Sequence, residues 1–213
     1  KGILLYGNGD KYEGEFKDGR LNGKGILLYG NGDKYEGEFK DSTSNGKGIL
    51  LYGNGDRYEG DFKDDFRSGT GIYERADGGR YVGGFKNGQY DGRGTLVSAN
   101  GCKYDGQFKD GDIAGKGVMI AENGDRYEGE FKNGLLDGWG TLTSSRGRRY
   151  TGEFRAGEFL GKSRTDSLLR HPISLLIAFL LAVALASLVL NFSLALKLRR
   201  LRAEGHKNSS HPN

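Results

Sequence analysis

The 213-residue sequence contains too little cysteine and histidine for several common classes of protein. Its one cysteine, Cys102, cannot form an internal disulfide, and three scattered histidines do not make a structural zinc site. The 39 glycines follow no three-residue period, which excludes collagen. Hydrophobic residues make up only 35% of the chain, yet it has 12 tyrosines and 11 phenylalanines, and disordered chains are poor in aromatics. These features leave an ordered fold that is rich in glycine and aromatic residues.

The residue types that catalysis needs are also missing from most of the chain. His171, His206 and His211 all lie beyond residue 170, so no Ser-His-Asp or Cys-His arrangement is expected. The segment Gly7-Asn8-Gly9 lacks the Gly-Lys-Ser/Thr ending and the strand-to-helix context of a phosphate-binding loop. The sequence therefore predicts a protein that is not an enzyme and that needs no cofactor or metal.

The formal net charge of +4 comes from the C-terminal flank. Residues 1–162 hold 25 of the 32 basic residues and 26 of the 28 acidic ones, whereas residues 163–213 hold 7 basic and 2 acidic residues. A nucleic-acid-binding surface needs basic residues clustered on one folded face. Nucleic acid is therefore not an expected partner.

A 23-residue repeat dominates the sequence. The pattern Tyr-x-Gly-x-Phe occurs in seven copies without insertion or deletion, and a Gly-x-Gly follows each of the first six copies. Residues 1–18 are identical to residues 24–41, so we expect the array to begin before Lys1. The motif tyrosines are Tyr12, Tyr35, Tyr58, Tyr81, Tyr104, Tyr127 and Tyr150.

Each copy is predicted to be a β-hairpin. Tyr12, Gly14 and Phe16 alternate with charged residues, which is typical of a strand with its aromatic residues on one face. Asp18-Gly19 predicts a tight turn, residues 25–29 a second strand, and residues 30–33 the connection to the next copy. One hairpin cannot bury its own face, whereas stacked hairpins share a continuous core. The expected fold is all-β: an elongated, twisted antiparallel ribbon of stacked hairpins.

Two other interpretations of the repeat fit the sequence less well. Gly-Asn-Gly-Asp at positions 7, 30 and 53 faintly resembles a calcium-binding repeat, but such repeats use nine-residue units that stack their ligands far more densely. The Tyr-Asp shell repeats of secreted toxins have a similar period, but they lack the paired Tyr-x-Gly-x-Phe and Gly-x-Gly motifs. The hairpin turn is the favoured interpretation of the Gly-Asn-Gly-Asp segments.

The string Tyr-Glu-Gly-Glu-Phe-Lys-Asp-Gly, followed by Asn-Gly-Lys-Gly, resembles the membrane occupation and recognition nexus (MORN) repeat over residues 1–161. Phe16 and its equivalents stand where the family often has Trp, and Ser42-Thr43-Ser44 replaces the Gly-containing turn of the second copy. The resemblance implies an elongated, twisted antiparallel sheet. It also implies scaffolding, dimerisation, peptide binding or membrane association rather than any one reaction.

Residues 173–196 are predicted to form a single transmembrane α-helix. These 24 residues carry no charge, and as a helix they would span about 36 Å, enough for a hydrocarbon core of about 30 Å. A basic juxtamembrane linker at 162–172 precedes the segment, and a short basic tail at 197–213 follows it. Its position near the end of the sequence predicts a tail-anchored protein. The repeats would lie in the cytosol, and the anchor in the endoplasmic reticulum or an organelle outer membrane.

Three groups of residues are candidate interaction sites. The N-terminal copies are apolar on both faces of the second strand, which predicts a protein-binding or self-association site at Ile3, Leu5, Ile26, Leu28, Ile49 and Leu51. Basic residues near the membrane segment predict contact with anionic lipid headgroups at Arg146, Arg148, Arg149, Arg155, Lys162, Arg164 and Arg170. Small residues at intervals of four predict pairing of the transmembrane helix through Ser174, Ala178, Ala182 and Ala186.

Cys102 takes the position that Asp33 has in an earlier copy. We expect it to be a tolerated surface substitution without a function.

These features together predict a membrane-anchored, non-enzymatic scaffold or tether that presents its repeats to a protein partner or an apposed membrane. The plan is similar in outline to that of the junctophilins, which join MORN repeats to a C-terminal membrane anchor. Junctophilins have a long helical spacer, whereas only residues 162–171 separate the repeats from the membrane segment here. Two alternatives remain: a structural accessory subunit of a multi-subunit membrane protein complex, and a regulatory domain lost from an enzyme.

Overall fold

A computed structural model of the chain describes residues 1–161, which form one open antiparallel sheet of 15 strands. The strands lie in the sheet in chain order, so each pairs with its neighbours in sequence. The strands are β1 (Gly2–Leu5), β2 (Lys11–Lys17), β3 (Arg20–Leu28), β4 (Lys34–Lys40), β5 (Thr43–Leu51), β6 (Arg57–Lys63), β7 (Phe66–Glu74), β8 (Arg80–Lys86), β9 (Gln89–Val97), β10 (Lys103–Lys109), β11 (Asp112–Ile120), β12 (Arg126–Lys132), β13 (Leu135–Thr143), β14 (Arg149–Arg155) and β15 (Glu158–Gly161). The predicted all-β sheet of stacked hairpins is confirmed.

The turn inside each copy has the same backbone conformation whether or not it contains glycine. Asp18 and Gly19 both have positive φ, 49° and 72°, as a two-residue type I′ turn requires. Asp41 and Ser42 adopt nearly the same angles, 48° and 66°, although Ser42 has a side chain. Part of the compensation is that the Ser42 hydroxyl accepts a hydrogen bond from the backbone N–H of Leu21 at 3.2 Å. The departure from the family pattern at Ser42 therefore leaves the hairpin intact.

Each motif tyrosine from Tyr12 to Tyr127 is buried over a pair of glycines. Gly37 in β4 lies opposite Gly48 in β5, and a Cβ atom added to either would come within 2.5 Å of the Tyr35 hydroxyl oxygen. That hydroxyl donates a hydrogen bond to the backbone carbonyl of Glu38 at 2.9 Å. The two glycines thus leave the space in which the ring lies, which is why the motif needs glycine between its two aromatic residues.

Tyrosines and phenylalanines of successive copies interlock in what we call the aromatic ladder. Tyr35 packs edge to face against Phe39 of its own copy and against Phe62 of the next, with ring centroids 5.1 Å and 4.9 Å apart. Edge-to-face contact is a favoured geometry for aromatic pairs. The aromatic ladder consists of Tyr12, Phe16, Tyr35, Phe39, Tyr58, Phe62, Tyr81, Phe85, Tyr104, Phe108, Tyr127, Phe131 and Phe154.

The connections between copies are fastened by a side chain of the preceding connection. The Asp33 carboxylate accepts a hydrogen bond from the backbone N–H of Gly53, 20 residues later, at 2.8 Å. The same bond joins Asp10 to Gly30, Asp56 to Ala76 and Asp125 to Ser145. These carboxylates therefore serve as links between hairpin turns, and within residues 1–161 no group of acidic, histidine or cysteine side chains could hold a metal ion.

Candidate functional site

The face opposite the aromatic ladder carries isoleucine and glutamate in alternation across the N-terminal strands. The register pairs Ile26 with Glu36, Glu36 with Ile49, and Ile49 with Glu59. Neighbouring strands are about 4.8 Å apart, so the isoleucines recur about every 9.6 Å. This set, which we call the Ile/Glu row, comprises Ile3, Glu13, Ile26, Glu36, Ile49, Glu59, Ile72 and Val82.

The Ile/Glu row lines a groove of about 1430 Å³ that extends from β1 to β8. Gly37 and Gly48 also line it with their backbone, because a side chain at either position would point to the opposite face, towards Tyr35. Lys24 and Lys47 hold equivalent positions in successive copies and line it beside the row. The groove therefore offers a regularly spaced series of apolar side chains, exposed backbone and flexible cationic side chains.

The glutamates of the Ile/Glu row are neutralised by neighbours on the same strand. Lys34 Nζ lies 2.9 Å from Glu36 Oε2, and Lys11 Nζ lies 3.4 Å from Glu13 Oε2. Arg57 makes the equivalent ion pair with Glu59. Because these pairs are exposed, each adds little to stability. Their consequence is that the row carries no unbalanced negative charge.

The carboxylate of Asp61, which lies beside the groove, is held ionised by its hydrogen bonds. Lys47 Nζ lies 2.6 Å from the Asp61 carboxylate, and Thr70 donates to it from both its backbone N–H and its hydroxyl. Burial disfavours the charged form of Asp61, but the bonds from Lys47 and Thr70 outweigh it and lower the pKa of the carboxyl. Asp61 therefore stays charged and satisfied at neutral pH.

The same row of the sheet is polar in the C-terminal copies. Thr95 donates a hydrogen bond to Asp105 at 3.1 Å, and the hydroxyls of Thr141 and Thr151 are 3.0 Å apart. Val118 is an isolated apolar residue between Asp105 and Glu128 in the register. The apolar series thus belongs to the N-terminal copies.

The structure places the six predicted partner-binding residues on one face but in two rows. Ile3, Ile26 and Ile49 line the groove. The leucines lie in the adjacent row, paired across strands with lysines or arginine, and are exposed: Leu5, Leu28 and Leu51. Sequence reasoning missed Ile72 and Val82, which extend the groove to β8. Their pairing across β7 and β8 could have been found from the repeat register. Partner binding at this face stays a prediction.

The predicted lipid-contacting arginines are divided between the two ends of β14. Arg146 and Arg148 lie in the connection before β14, and Arg149 begins the strand. Arg155 ends it, about 20 Å away at roughly 3.3 Å per residue, where it pairs with Glu153 at 3.0 Å. The four arginines are thus not one compact cluster. Lys162, Arg164 and Arg170 lie outside the described residues, as does the predicted pairing ridge of the membrane segment.

The basic side chain of Arg67 is buried in the core, which the sequence analysis did not foresee. Arg67 is 3% exposed and occupies the position that Leu21, Ile113 and Leu136 fill in other copies. Its guanidinium carbon lies 5.0 Å from the ring centroid of Tyr73, and its Nη2 donates to the carbonyl of Gly88 at 2.6 Å. Cation–π contact of a desolvated arginine is favourable. The sequence indication of this buried arginine is a single basic residue at a repeat position that is apolar in most other copies.

Tyr73, which contacts Arg67, also contacts the buried carboxylate of Asp56. The Tyr73 hydroxyl donates to Asp56 at 2.6 Å, and Asp56 also accepts the backbone N–H of Ala76 at 2.9 Å. Burial disfavours the charged form of Asp56, but these hydrogen bonds outweigh it, so the pKa of Asp56 is lowered. Burial and the bond to Asp56 raise the pKa of Tyr73. The cluster is a hydrogen-bonded part of the core, and its tyrosine stays neutral.

Cys102 is buried at 3% exposure, so the expectation of a surface position was wrong. The sulfur accepts a hydrogen bond from the backbone N–H of Glu122 at 3.2 Å. Asp10 and Asp33, at the equivalent positions of earlier copies, accept the same hydrogen bond from the connection of the following copy. The sequence position was recognised, but the contact that it makes 20 residues later was not.

The segment predicted to cross a membrane, residues 173–196, lies outside the described residues. Within residues 1–161 there is no helix of the length and apolarity that crossing a membrane requires.

Solved structures show distant similarity to this chain. One is the SAS-4 (dCPAP) TCP domain of Drosophila melanogaster in complex with a proline-rich motif of Ana2 (dSTIL), at 15% identity and a TM-score of 0.43, covering 71% of this chain and 83% of that one. Another is the G-box domain of the microcephaly protein CPAP, at 12% identity and a TM-score of 0.29, covering 72% and 98%. The TCP10 domain of Danio rerio CPAP has 15% identity and a TM-score of 0.24, covering 71% and 82%. Similarities at these scores carry no argument about partners.

No curated protein sequence matches the chain. The family model described as MORN repeat matches six consecutive copies, at residues 12–34, 35–57, 58–80, 81–103, 104–126 and 127–147. Strands β14 and β15 continue the same hairpin pattern beyond the last matched copy. The matched copies cover more than half of the sequence, and the chain belongs to the MORN repeat family.

Proposed function

We propose that this protein is a membrane-anchored, non-enzymatic scaffold that holds a protein partner in the groove of its N-terminal repeats. The observation that carries the proposal is the Ile/Glu row. Ile26 and Ile49 face a groove lined by glycine backbone, although the aromatic ladder on the other face already provides the core. Apolar side chains aligned on an exposed face gain free energy when a partner covers them, at about 25 cal/mol per Å².

The membrane part of the proposal rests on the sequence. Residues 173–196 are long and apolar enough to span a bilayer as a helix, and basic residues flank them on both sides. A tail anchor in the endoplasmic reticulum or an organelle outer membrane would keep the repeats in the cytosol. An apposed membrane is the other object that the ribbon could hold, with the arginines around β14 near anionic headgroups.

The test is co-purification of the full chain from detergent-solubilised membranes, with two double variants compared. Ile26→Thr with Ile49→Thr removes two groove side chains but keeps residues that favour strands. Val118→Thr with Ile120→Thr also replaces two apolar residues by threonine, on the same face of the fifth copy, and serves as the control. We expect the first variant to lose protein partners that the control retains. Equal recovery from both would contradict a partner site in the groove.

The same experiment separates the scaffold from an accessory subunit. A subunit would leave the membrane in a complex of fixed stoichiometry that survives repeated detergent washing. A tether should instead exchange its partner, and if it holds membranes it should cluster pure lipid vesicles without other proteins. Vesicle clustering that is unchanged by the groove variant would place membrane tethering elsewhere on the protein.

A further inference from the structure

The spacing of the groove side chains identifies the conformation of the segment that fits them. Ile3, Ile26, Ile49 and Ile72 lie on alternate strands, so neighbours along the groove are separated by two strand spacings, about 9.6 Å. A polyproline II helix rises 3.1 Å per residue and has three residues per turn, so the same face recurs about every 9.3 Å. The two periods match within a few tenths of an ångström.

The other regular conformations do not match this period. Side chains on one face of an extended strand recur about every 6.7 Å, which falls out of register with the isoleucines at the first step. In an α-helix the nearest equivalent is the seventh residue, about 10.5 Å along the axis, and the error accumulates to nearly 3 Å over three steps. A polyproline II segment drifts by only about 1 Å over the same distance.

The paired charges of the Ile/Glu row favour an uncharged occupant. The carboxylates of Glu13, Glu36 and Glu59 are each paired with a basic residue on the same strand. A strongly acidic or basic segment would have to break these pairs. An apolar face therefore fits better than a charged one.

The backbone of a polyproline II segment can also form hydrogen bonds in the groove. A polyproline II helix has no internal hydrogen bonds, so its carbonyl groups remain free to accept them. Lys24 and Lys47 line the groove with the same two-strand spacing as the isoleucines. The Lys24 ammonium can donate to one of these carbonyls, and that of Lys47, which pairs with Asp61, has further N–H groups that can donate to another carbonyl three residues on.

We propose that the groove binds a proline-rich segment of a partner protein in the polyproline II conformation, with an apolar side chain at every third position. This inference rests on the proposed function and names the chemistry of its partner. A segment of about ten residues would reach from Ile3 to Ile72, since three steps of about 9.6 Å need about nine residue rises.

The test uses the full chain in mild detergent and a fluorescein-labelled peptide of four Leu-Gln-Pro triplets, followed by fluorescence anisotropy. A reference peptide has the same composition, but its leucines are spaced by two and five residues. We expect the regular peptide to bind more tightly than the reference. We also expect Ile26→Thr with Ile49→Thr to weaken its binding by about tenfold or more, while Val118→Thr with Ile120→Thr leaves it within about twofold.

Circular dichroism and thermal melting of both variants establish that each sheet is intact. Equal affinity for the two peptides, or regular-peptide binding that the groove variant does not weaken, would overturn the proposal. So would a dimer in sedimentation that the groove variant dissociates and the regular peptide does not, because a second copy would then occupy the groove. If co-purified partners depend on Ile26 and Ile49 while neither peptide binds, this inference fails and the proposed function stands.

Discussion

Tyr35 of one repeat contacts Phe62 of the next edge to face, with the ring centroids 4.9 Å apart. The same contact recurs between each motif tyrosine from Tyr12 to Tyr127 and the phenylalanine of the following copy. Each tyrosine also contacts the phenylalanine of its own copy, so the repeats are coupled in series by a single line of rings. Stability of such an array depends on each copy and on its neighbours.

The glycine pair beneath a ladder tyrosine should not tolerate a methyl group. A Cβ atom on Gly60 would lie 2.5 Å from the Tyr58 hydroxyl oxygen and 2.6 Å from the backbone of Gly71. We expect Gly60→Ala to destabilise the sheet by about 1–3 kcal/mol, because the ring and the backbone must both move. Urea unfolding followed by circular dichroism measures this.

Gly7→Ala is the matched control for the glycine prediction. A Cβ atom at Gly7 would meet no atom within 4 Å, so its substitution should leave the urea midpoint nearly unchanged. Equal destabilisation by the two alanines would show that the lack of space under Tyr58 does not decide the effect.

Arg67 should be replaceable by leucine but not by alanine. Leucine occupies the equivalent buried position in other copies, as Leu21 and Leu136. Replacing a buried charge by a well-packed apolar residue is often neutral or stabilising. We expect Arg67→Leu to change the free energy of unfolding by less than about 1 kcal/mol. Arg67→Ala should cost about 2–4 kcal/mol because it leaves a cavity beside Tyr58, Tyr73 and Phe85.

Urea unfolding of both Arg67 variants decides between these effects. If Arg67→Leu is as damaging as Arg67→Ala, the guanidinium is needed for its bond to Gly88 and its contacts with the rings, and not for its volume.

Substitution of Cys102 by aspartate should stabilise the connection between repeats. Aspartate fills this position at Asp10, Asp33, Asp56 and Asp125, and an ionised acceptor makes a stronger hydrogen bond than sulfur. We expect Cys102→Asp to raise the free energy of unfolding by about 1 kcal/mol. Thermal melting checks this, and a melting temperature no higher than that of the unchanged protein would contradict it.

The constant length of the repeat explains why the fold could be predicted from the sequence. Tyr12, Gly14 and Phe16 have one structural role in every copy, so a period of 23 residues fixes strand pairing and the buried face together. Arg67 and Cys102 could not be interpreted in this way, because each departs from its column and its contacts are made with residues 20 or more positions away. The apolar face of the groove followed from alternation, whereas its extension to Ile72 and Val82 emerges only when the repeat register is used to pair β7 with β8.

Glycosylation can test on which side of a membrane the C-terminal tail lies. Asn208-Ser209-Ser210 is an N-glycosylation sequon beyond the predicted membrane segment. A tail-anchored protein of the endoplasmic reticulum would expose Asn208 to the lumen. We then expect a glycosidase-sensitive mass shift that Asn208→Gln abolishes, and this would exclude an organelle outer membrane. If the protein is not glycosylated, protection of a C-terminal tag from protease shows on which side of the membrane the tail lies. A tag that protease can reach in intact vesicles would contradict the proposed topology.

Alkaline pH should unfold the sheet through the ladder tyrosines. Burial raises the pKa of Tyr12, Tyr35, Tyr58, Tyr81, Tyr104 and Tyr127, that of Tyr127 to about 12. In the unfolded chain these groups ionise near their ordinary value of about 10. The folded state therefore retains protons that the unfolded state releases, so stability is complete below about pH 10 and falls as pH rises towards the folded pKa values. We expect the ultraviolet absorbance of tyrosinate to rise steeply with pH, at the same pH at which the β-sheet circular dichroism is lost. In urea, where the chain is unfolded, the tyrosines should titrate gradually around pH 10. Ionisation of most tyrosines near pH 10 with the sheet intact would show that the rings over the glycine pairs are open to solvent.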